Sequence, residues 1–372
     1  MPTSLSALAP SLLETASRVS ADLRMGLPCL MTQGARRAVV AAVETLSAER
    51  FAALHALFGA PELVLTDTRA RAVLTPVAAA GLGSEPVRIR PPEGATLAWL
   101  RMRADPATDH RSTATGPLHL LRGGDVTVHR FALRLVKSAE LLPAVLLFDL
   151  PHGTDLPEGL ALAQIDAPDS LSHLTAEPVL APVAAAGFPL QLAGDGRLSV
   201  FRDPAGLREH FALVIGTPDL KAPVLARLHS ACFTGDVLGS LKCDCGPQLH
   251  AALAQMGAEG AGILLYLNQE GRGIGLANKM RVYDLQAQGF DTVEANHRLG
   301  FEDDERDFRV AAVMLRSMGV TATRLLTNNP AKVRVFGEQG ITVTEQVPLK
   351  VGRNPHNSGY LATKALKSGH AL

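Results

Sequence analysis

Three cysteines lie within the segment RLHSACFTGDVLGSLKCDCG, residues 227–246. Ten residues separate Cys232 from Cys243, and a single residue separates Cys243 from Cys245. Closely spaced thiols in a chain without secretory features are metal ligands more often than disulfide partners. Zinc favours thiolate ligands, and a catalytic zinc site keeps three protein ligands and leaves the fourth position to water. The spacing therefore predicts a zinc site with three protein ligands and an open position.

Two alternatives stay open for these thiols. Cys29, His229 or His250 would complete a four-ligand site, which would then be structural. The other alternative is three unrelated buried thiols, although apolar packing does not require the run Cys-Asp-Cys-Gly at residues 243–246. Aspartate and glycine in that run favour a tight loop of the kind that folds around an ion.

A glycine-rich segment follows, AGILLYLNQEGRGIGLANKMRVYDLQAQG at residues 261–289. The pattern predicts a buried strand, a loop and a helix, and the alternate glycines from Gly271 to Gly275 let the backbone approach a ligand. Main-chain amides at a helix N-terminus favour an anion, and Arg272 adds a bidentate phosphate donor. A dinucleotide-binding fold is the competing interpretation, because Glu294 lies about twenty residues further on. The G-x-G-x-G spacing disfavours it.

A charged run, Asp303 to Asp307, comes directly before the apolar stretch FRVAAVMLRSMG. Carboxylates at a solvated helix N-terminus would complement the helix dipole. The same residues would also suit a general base and a cation beside a phosphate. Spacing alone does not separate these interpretations.

Residues 321–349 predict a strand, a helix and a second strand. Asn329 is placed to cap the helix and Pro330 suits its first turn. Thr327 and Lys332 then lie at the carboxyl end of a strand, where open α/β sheets bind their ligands.

The composition limits the class of protein. At 372 residues, with 47% apolar residues, the chain is long enough for two globular domains. The formal net charge is zero and no long basic run occurs, so an electrostatic nucleic-acid surface is not expected. No apolar run is long enough to span a membrane, and the N-terminus lacks the features of a signal peptide. We therefore expect a cytoplasmic protein with neither nucleic-acid nor membrane partners.

Strands and helices alternate along the chain, which indicates an α/β (mixed α+β) fold. A helix over residues 11–26, a strand at LPCLMT, a helix starting at Ser47 and a strand at ELVLTD are predicted first. Residues 85–187 show a weaker pattern without a catalytic constellation. A boundary is predicted at residues 180–190, which divides the chain into domains 1–187 and 188–372. Beyond it, RLSVFRD, HFALVIG and APVLARLH predict strands that lead into the cysteine segment, and PQLHAALAQMG predicts a helix.

The N-terminal half resembles 3,4-dihydroxy-2-butanone 4-phosphate synthase through residues 23–57, LRMGLPCLMTQGARRAVVAAVETLSAERFAALHAL. In that family the loop after the strand is acidic and binds a metal ion and a sugar phosphate. Here the corresponding loop, Thr32 to Arg37, carries Arg36 and Arg37 in place of carboxylates. The resemblance therefore implies a degenerate, non-catalytic domain with a scaffold or dimerisation role.

The C-terminal half, residues 188–372, resembles GTP cyclohydrolase II, which opens the imidazole ring of GTP at the start of riboflavin synthesis. The resemblance implies a mixed sheet with flanking helices. It rests on these segments in this order: RLHSACFTGDVLGSLKCDCGPQL, QEGRGIGLANK, DTVEANHRLGF, DDERDF, LLTNNPAK and VGRNPHNSGYLATKALKSGH.

The resemblance also assigns residues to the site. It implies zinc on the three cysteines, Asp304 as proton acceptor and Arg306 as nucleophile, with Tyr283 nearby. Ala231 stands where the family commonly has an acidic residue, so this chain lacks any contact that the family makes through that carboxylate. The implied GTP contacts are Arg227, Leu228, His229, Ser230, Ala231, Gln248, Glu270, Gly271, Arg272, Thr292, Thr327 and Lys332.

The implied reaction is hydrolysis of GTP with release of formate and pyrophosphate, giving 2,5-diamino-6-hydroxy-4-(5-phosphoribosylamino)pyrimidine. It would use one zinc ion per chain, and Mg²⁺ would accompany the triphosphate, in a homodimeric enzyme. The alternative is a nucleotide-binding regulatory protein in which catalysis has been lost. Formate release from GTP separates the two.

Overall fold

The computed structural model describes residues 8–109, 118–170, 176–203 and 208–359. The chain forms two compact units. The first unit comprises Met1–Ala176 with Met280–Phe290 and Glu294–Asp303, and the second comprises Glu177–Lys279, Asp291–Val293 and Asp304–Leu372. Within the described residues, each unit contains one seven-stranded sheet with helices, which confirms the predicted mixed α/β class. The predicted domain boundary after residue 187 stays a prediction.

The first unit is built on a mostly antiparallel sheet of order β5-β4-β3-β6-β2-β1-β7. Only the β1–β7 pair is parallel among the pairs described. Its strands are β1 (Cys29–Gln33), β2 (Arg36–Ala42), β3 (Glu62–Leu65), β4 (Val87–Arg90), β5 (His119–Leu121), β6 (Ala144–Leu150) and β7 (Ala163–Asp166). The helices in its described N-terminal part are α1 (Leu12–Arg24), α2 (Ala48–Phe58), α3 (Asp67–Val73), α4 (Pro76–Ala79), α5 (Leu97–Ala104) and α6 (Thr127–Ser138).

Two predicted helices of this unit are confirmed, and their caps explain their limits. Ser11 and Glu14 form a reciprocal capping box at the start of α1, and Gly26 adopts a left-handed φ of 74° just after its end. The Ser47 side chain accepts a hydrogen bond from the Arg50 amide and starts α2.

The prediction of a loop from Thr32 to Arg37 is wrong, because most of these residues lie in strands. Its first two residues belong to β1 and its last two to β2, and Gln33 pairs with Arg36 across a tight hairpin. The apolar run after the arginines pairs with β6, and this pairing holds the segment in the sheet. The Arg36 guanidinium lies 2.9 Å from an Asp149 carboxylate oxygen and is committed to an ion pair.

The second unit has a sheet of order β14-β13-β11-β12-β10-β9-β8, parallel from β14 to β12 and antiparallel from β12 to β8. Its strands are β8 (Ala181–Leu190), β9 (Gly194–Arg202), β10 (Glu209–Gly216), β11 (Val224–Ser230), β12 (Ala261–Leu267), β13 (Ala322–Leu326) and β14 (Thr342–Val347). The later helices of the chain are α7 (Cys245–Glu259), α8 (Gly275–Ala287), α9 (Thr292–Leu299), α10 (Arg309–Ser317) and α11 (Pro330–Glu338).

Strands β9, β10 and β11 confirm the three strands predicted before the cysteine segment. The region predicted as a boundary, residues 180–190, forms β8 at the edge of this sheet. Helices cover both faces of the central strands: Ala226 and Ile263 pack in a cluster with residues of α10, and Leu225 packs in a cluster with Met256 of α7. The continuous burial of β11 follows from this double cover.

Helices α8 and α9 are divided between the units, because residues 280–290 and 294–303 belong to the first. Within that unit Arg281 lies 2.8 Å from the Glu44 carboxylate. Arg69, only 1% exposed, donates a 2.9 Å hydrogen bond to the Arg298 carbonyl. No helix in the part of the chain described is both long and apolar enough to cross a membrane.

Candidate functional site

The parallel part of the second sheet brings the carboxyl ends of β11, β12 and β13 to one edge, where open α/β sheets place ligand sites. Cys232 follows β11, whereas Cys245 is the first residue of α7. The three cysteine sulfurs all lie within 4.8 Å of one another, and the Cys232 and Cys243 sulfurs are 3.7 Å apart without a disulfide. Among the residues described, this group contains the three cysteines and no histidine or carboxylate. The alternative of three unrelated thiols is therefore excluded.

The residues proposed to close a four-ligand site lie elsewhere. Cys29 is fully buried in β1 of the first unit, where burial raises its pKa to about 12. His250 is exposed on α7, and the His229 ring nitrogen Nε2 lies 3.1 Å from Asp236. The candidate metal ligands that the described residues bring together are thus the three cysteines.

Local packing and charge fit a thiophilic cation. A Cβ atom added to Gly235 would lie 2.7 Å from the Cys243 sulfur and 3.0 Å from the Cys232 sulfur, so glycine keeps this space open. Hydrogen bonds from the thiols of Cys243 and Cys245 lower the pKa of Cys232 far below its ordinary value, and Lys279 lowers it further. The cluster favours a thiolate, the ligand that zinc prefers.

Asp236 lies directly behind the Cys232 backbone, and its side chain is only 4% exposed. It accepts three hydrogen bonds: from the Cys232 main-chain amide at 3.0 Å, from the Tyr266 hydroxyl at 2.9 Å and from His229 Nε2 at 3.1 Å. The His229 and Tyr266 rings stack with their centroids 5.5 Å apart. Burial lowers the pKa of His229, so its ring is neutral and Nε2 carries the hydrogen that it donates.

The Glu270 carboxylate binds the main chain of Phe233, the residue that follows Cys232. One carboxylate oxygen accepts the Phe233 main-chain amide at 2.6 Å, and the other lies 2.8 Å from the Lys279 ammonium. The same ammonium lies 3.0 Å from the Cys232 sulfur. Glu270, predicted as a GTP contact, is thus already engaged with the cysteine segment.

The charged run from Asp303 to Asp307 comes just before α10, which begins at Arg309, and Asp307 accepts a hydrogen bond from the Arg309 main-chain amide at 3.0 Å. Arg306 forms a bidentate pair with Asp304, with nitrogen–oxygen distances of 2.7 and 2.5 Å, and its Nη1 lies 3.3 Å from the Ser230 hydroxyl. Burial opposes ionisation of Asp304, but the charge and hydrogen bonds of Arg306 outweigh it and hold the pKa of Asp304 below its ordinary value. The interpretation as a helix start therefore holds for Asp307, whereas Asp304 is committed to Arg306.

The glycine-rich loop forms a single turn, Glu270–Gly273, between β12 and α8. Arg272 adopts a left-handed φ of 64°, a conformation that is uncommon outside glycine. A Cβ atom on Gly273 would lie 2.7 Å from the Glu305 carbonyl oxygen, so glycine permits the loop to pack against the charged run. Glu294 lies within α9 and not at a strand end, which excludes the dinucleotide-fold interpretation.

Arg227 and Gln248 lie together beneath this edge. The Arg227 guanidinium, 5% exposed, donates to Gln248 at 2.5 Å and to the Leu326 carbonyl at 2.8 Å. Burial lowers the pKa of Arg227 to about 10. Lys332, 6% exposed, donates to the Leu228 carbonyl at 2.8 Å.

The remaining predicted residues are distributed as follows. Ser230 ends β11, and the Ala231 amide donates to the Leu267 carbonyl at 2.7 Å. Thr292 begins α9, and Tyr283 lies in the part of α8 that belongs to the first unit. The segment VGRNPHNSGYLATKALKSGH lies outside the described residues from residue 360 onwards. Two predicted GTP contacts remain. Gly271 lies in the glycine turn, and Thr327 follows β13 and is only 1% exposed.

Sequence reasoning missed Asp236, Tyr266 and Lys279. No spacing rule links them to the cysteines, because Tyr266 is 30 residues from Asp236 and Lys279 is 47 residues from Cys232. The one available signal was Asp236 itself, an aspartate next to Gly235 within one turn of the first ligand.

Comparison with known proteins places these observations in a family context. Residues 182–348 match the family described as GTP cyclohydrolase II. A protein from Azospirillum brasilense named GTP cyclohydrolase-2 is 41% identical over 366 residues, covering 95% of this chain and 92% of its own length. The protein of that name from Azotobacter vinelandii is 61% identical over 172 residues, covering 46% of this chain and 83% of its own length.

Two solved structures were also found. A two-domain 3,4-dihydroxy-2-butanone 4-phosphate synthase from A. baumannii is 15% identical with a TM-score of 0.30, covering 90% of this chain and 99% of the other. A 3,4-dihydroxy-2-butanone 4-phosphate synthase from Candida albicans is 16% identical with a TM-score of 0.32, covering 43% of this chain and 96% of the other. TM-scores this low do not define a shared fold by themselves.

Proposed function

Since this chain belongs to the GTP cyclohydrolase II family, we propose that it hydrolyses GTP, opening the imidazole ring with release of formate and pyrophosphate. The product would be 2,5-diamino-6-hydroxy-4-(5-phosphoribosylamino)pyrimidine, the first intermediate of riboflavin biosynthesis. The observation that carries the proposal is the convergence of three cysteine sulfurs within 4.8 Å at the sheet edge where Arg306 meets Ser230.

Cys232, Cys243 and Cys245 would hold one zinc ion per chain. When bound by three protein ligands, zinc lowers the pKa of water towards about 7 and so supplies a nucleophile for C8 of the purine at neutral pH. Gly235 leaves the space beside the sulfurs that such an ion needs. Lys279 places a positive charge 3.0 Å from the Cys232 sulfur and offsets part of the thiolate charge.

Arg306 would stabilise negative charge on the triphosphate, and Asp304 would hold the guanidinium in place. A guanidinium has a pKa above about 12 and no free lone pair, so it is a poor nucleophile. Asp304 is ionised in its bidentate pair with Arg306, and a carboxylate with a lowered pKa is a weak base. The ion pair therefore supports a stabilising role for Arg306 over nucleophilic attack.

The glycine turn before α8 would receive the triphosphate, with Mg²⁺ bound to the phosphate oxygens. The N-terminal amides of a 13-residue helix favour an anion, and Arg272 lies within the turn. The contact of this turn with Glu305 places it beside the segment that carries Arg306. The roles of Thr292 and Tyr283, a homodimeric state and a cytoplasmic location stay predictions.

The test measures formate and pyrophosphate separately from GTP, with zinc-loaded protein and Mg²⁺. Cys243→Ser should stop formate release, whereas pyrophosphate release can persist because phosphoryl chemistry depends on positioning and Mg²⁺. Arg306→Ala should lose pyrophosphate release, and Arg306→Lys should recover part of it because lysine keeps the charge without the bidentate fork.

Arg309 offers a matched control for Arg306. It makes the same bidentate pair with the aspartate two residues before it, Asp307, at 2.8 and 2.7 Å. Arg309→Ala should therefore retain both products. GTP binding without formate release by the wild-type protein would contradict the proposed hydrolysis and favour a regulatory nucleotide-binding protein.

A further inference from the structure

We propose that Asp236 and Glu270 are positioning residues for the metal ligands, because they fix the backbone of the segment Cys232–Asp236, here called the metal loop. This inference rests on the proposed metal site and adds residues that are not ligands. The two carboxylates accept the main-chain amides of consecutive residues, Cys232 and Phe233, so they hold the first ligand from two sides.

The Asp236 carboxylate is rigid because three donors from three separate elements converge on it. The donors come from the metal loop itself, from His229 on β11 and from Tyr266 on β12. Residues 229 and 266 are register partners on neighbouring parallel strands, so the sheet fixes their side chains relative to each other. Asp236 thereby links the metal loop to the rigid centre of the sheet.

Glu270 provides the second link, and Lys279 joins it to the ligand sulfur. The Lys279 ammonium lies 2.8 Å from the Glu270 carboxylate and 3.0 Å from the Cys232 sulfur. Both side chains are nearly buried, at 12% exposure for Glu270 and 10% for Lys279, so solvent screens this charge pair weakly. Glu270 therefore positions both the loop backbone and the cation that faces the thiolate.

Preorganisation is the physical reason for these links. A loop that becomes ordered only when the ion arrives loses binding free energy to that ordering, whereas a loop that is already fixed does not. Groups that hold metal ligands from behind typically change metal affinity by 10- to 100-fold when they are removed. We expect effects of that size for Asp236 and for Glu270.

The experiment titrates metal-free full-length protein with Zn²⁺ in competition with a chelator, without GTP. Asp236→Ala should raise the zinc Kd about 10- to 100-fold. Asp236→Asn should raise it less, because one amide oxygen still accepts from Cys232 and Tyr266. Binding of Co²⁺ adds a spectroscopic reading, since a shift in its thiolate absorption bands reports a change in ligand arrangement that loss of stability alone would not produce.

Double variants test which of these residues act together on zinc affinity. Glu270 and Lys279 are in contact, so Glu270→Gln and Lys279→Met should give non-additive changes in zinc affinity. Asp236 and Glu270 hold different amides and share no hydrogen bond, so Asp236→Asn with Glu270→Gln should be closer to additive. The matched control is Asp195→Asn, an exposed aspartate on β9.

The outcomes separate this inference from the proposed function. A wild-type protein that binds no metal would overturn the proposed site itself. Wild-type binding with a zinc Kd within two-fold for Asp236→Ala, Asp236→Asn and Glu270→Gln would overturn only the positioning role. Should Asp236→Ala fail to fold by circular dichroism, the two conservative variants decide, because each keeps the volume of the side chain and one acceptor oxygen.

Discussion

Replacing Gly235 with alanine adds one methyl group at the centre of the sulfur cluster. Its Cβ atom would lie 2.7 Å from the Cys243 sulfur, 3.0 Å from the Cys232 sulfur and 3.0 Å from the Cys245 Cβ. Gly235 is not among the glycines with positive φ, so alanine can adopt this backbone conformation without strain. The substitution therefore tests the space beside the sulfurs alone.

The size of the effect follows from these distances. Non-bonded atoms prefer separations of about 3.5–4.0 Å, so the new methyl group would be too close to both sulfurs by about 1 Å. Overpacking of this kind costs about 1–3 kcal/mol. Without metal the sulfurs can move apart, whereas a bound ion holds them together. The strain therefore falls mainly on the metal-bound state and should weaken metal affinity roughly 5- to 140-fold, at about 1.4 kcal/mol per tenfold.

Chelator competition with Zn²⁺ measures this change, and the unfolding temperature of the metal-free protein checks that the fold is retained. The control is Gly337→Ala, at a helical glycine in α11 whose added Cβ meets nothing within 4 Å. Alanine should be neutral or slightly stabilising at that position, because glycine is unfavourable within a helix. An unchanged zinc Kd for Gly235→Ala would refute the reasoning, because the ion would then not bind in the space beside Gly235 and the cysteine sulfurs.

Three further predictions follow from other parts of the molecule. Cys243→Ser should remove stoichiometric zinc as measured by elemental analysis, and retained zinc with full turnover would contradict the ligand assignment. Burial lowers the pKa of His210 from 6.5 to about 4, so the unfolded state binds the proton more readily and stability should fall as the pH drops from about 6.5 to about 4. The loss is at most about 3 kcal/mol, and His210→Gln should flatten this pH dependence in urea unfolding. Finally, ribulose 5-phosphate should give no dihydroxybutanone phosphate, because the hairpin carries Arg36 and Arg37 where the resemblance to the synthase implies acidic residues, and measurable synthase activity would overturn that prediction.

Local signals explain what the sequence could predict. The cysteines are neighbours in the chain, so their convergence needed only a tight loop and the start of α7. Helix α11 was recognisable because Asn329 caps it and Pro330 opens it. Strands β9 to β11 carry apolar runs between turn residues, the pattern by which buried strands are recognised.

Long-range contacts explain what the sequence could not predict. The hairpin of β1 and β2 was missed because the two arginines that begin β2 hide its strand pattern, and its pairing partner β6 lies about a hundred residues further on. Likewise, Arg306 reaches Ser230 from 76 residues away, and Asp236 meets Tyr266 from a neighbouring strand. Such contacts depend on the sheet order, and no periodicity in the chain encodes that order.

The division of α8 and α9 has a consequence for any attempt to produce the two halves separately. A gene truncated after residue 187 would lack the segment that carries Arg298, whose carbonyl accepts from the buried Arg69. It would also lack Arg281, the ion-pair partner of Glu44. Arg69 would keep Asp109 and the Arg103 carbonyl as acceptors. A lost hydrogen bond that involves a charged group still costs about 1.5–3 kcal/mol, a large share of the stability of an ordinary domain. We therefore expect the N-terminal fragment to be poorly stable alone and to gain stability when the C-terminal fragment is co-expressed, as in a split protein that reassembles by complementation.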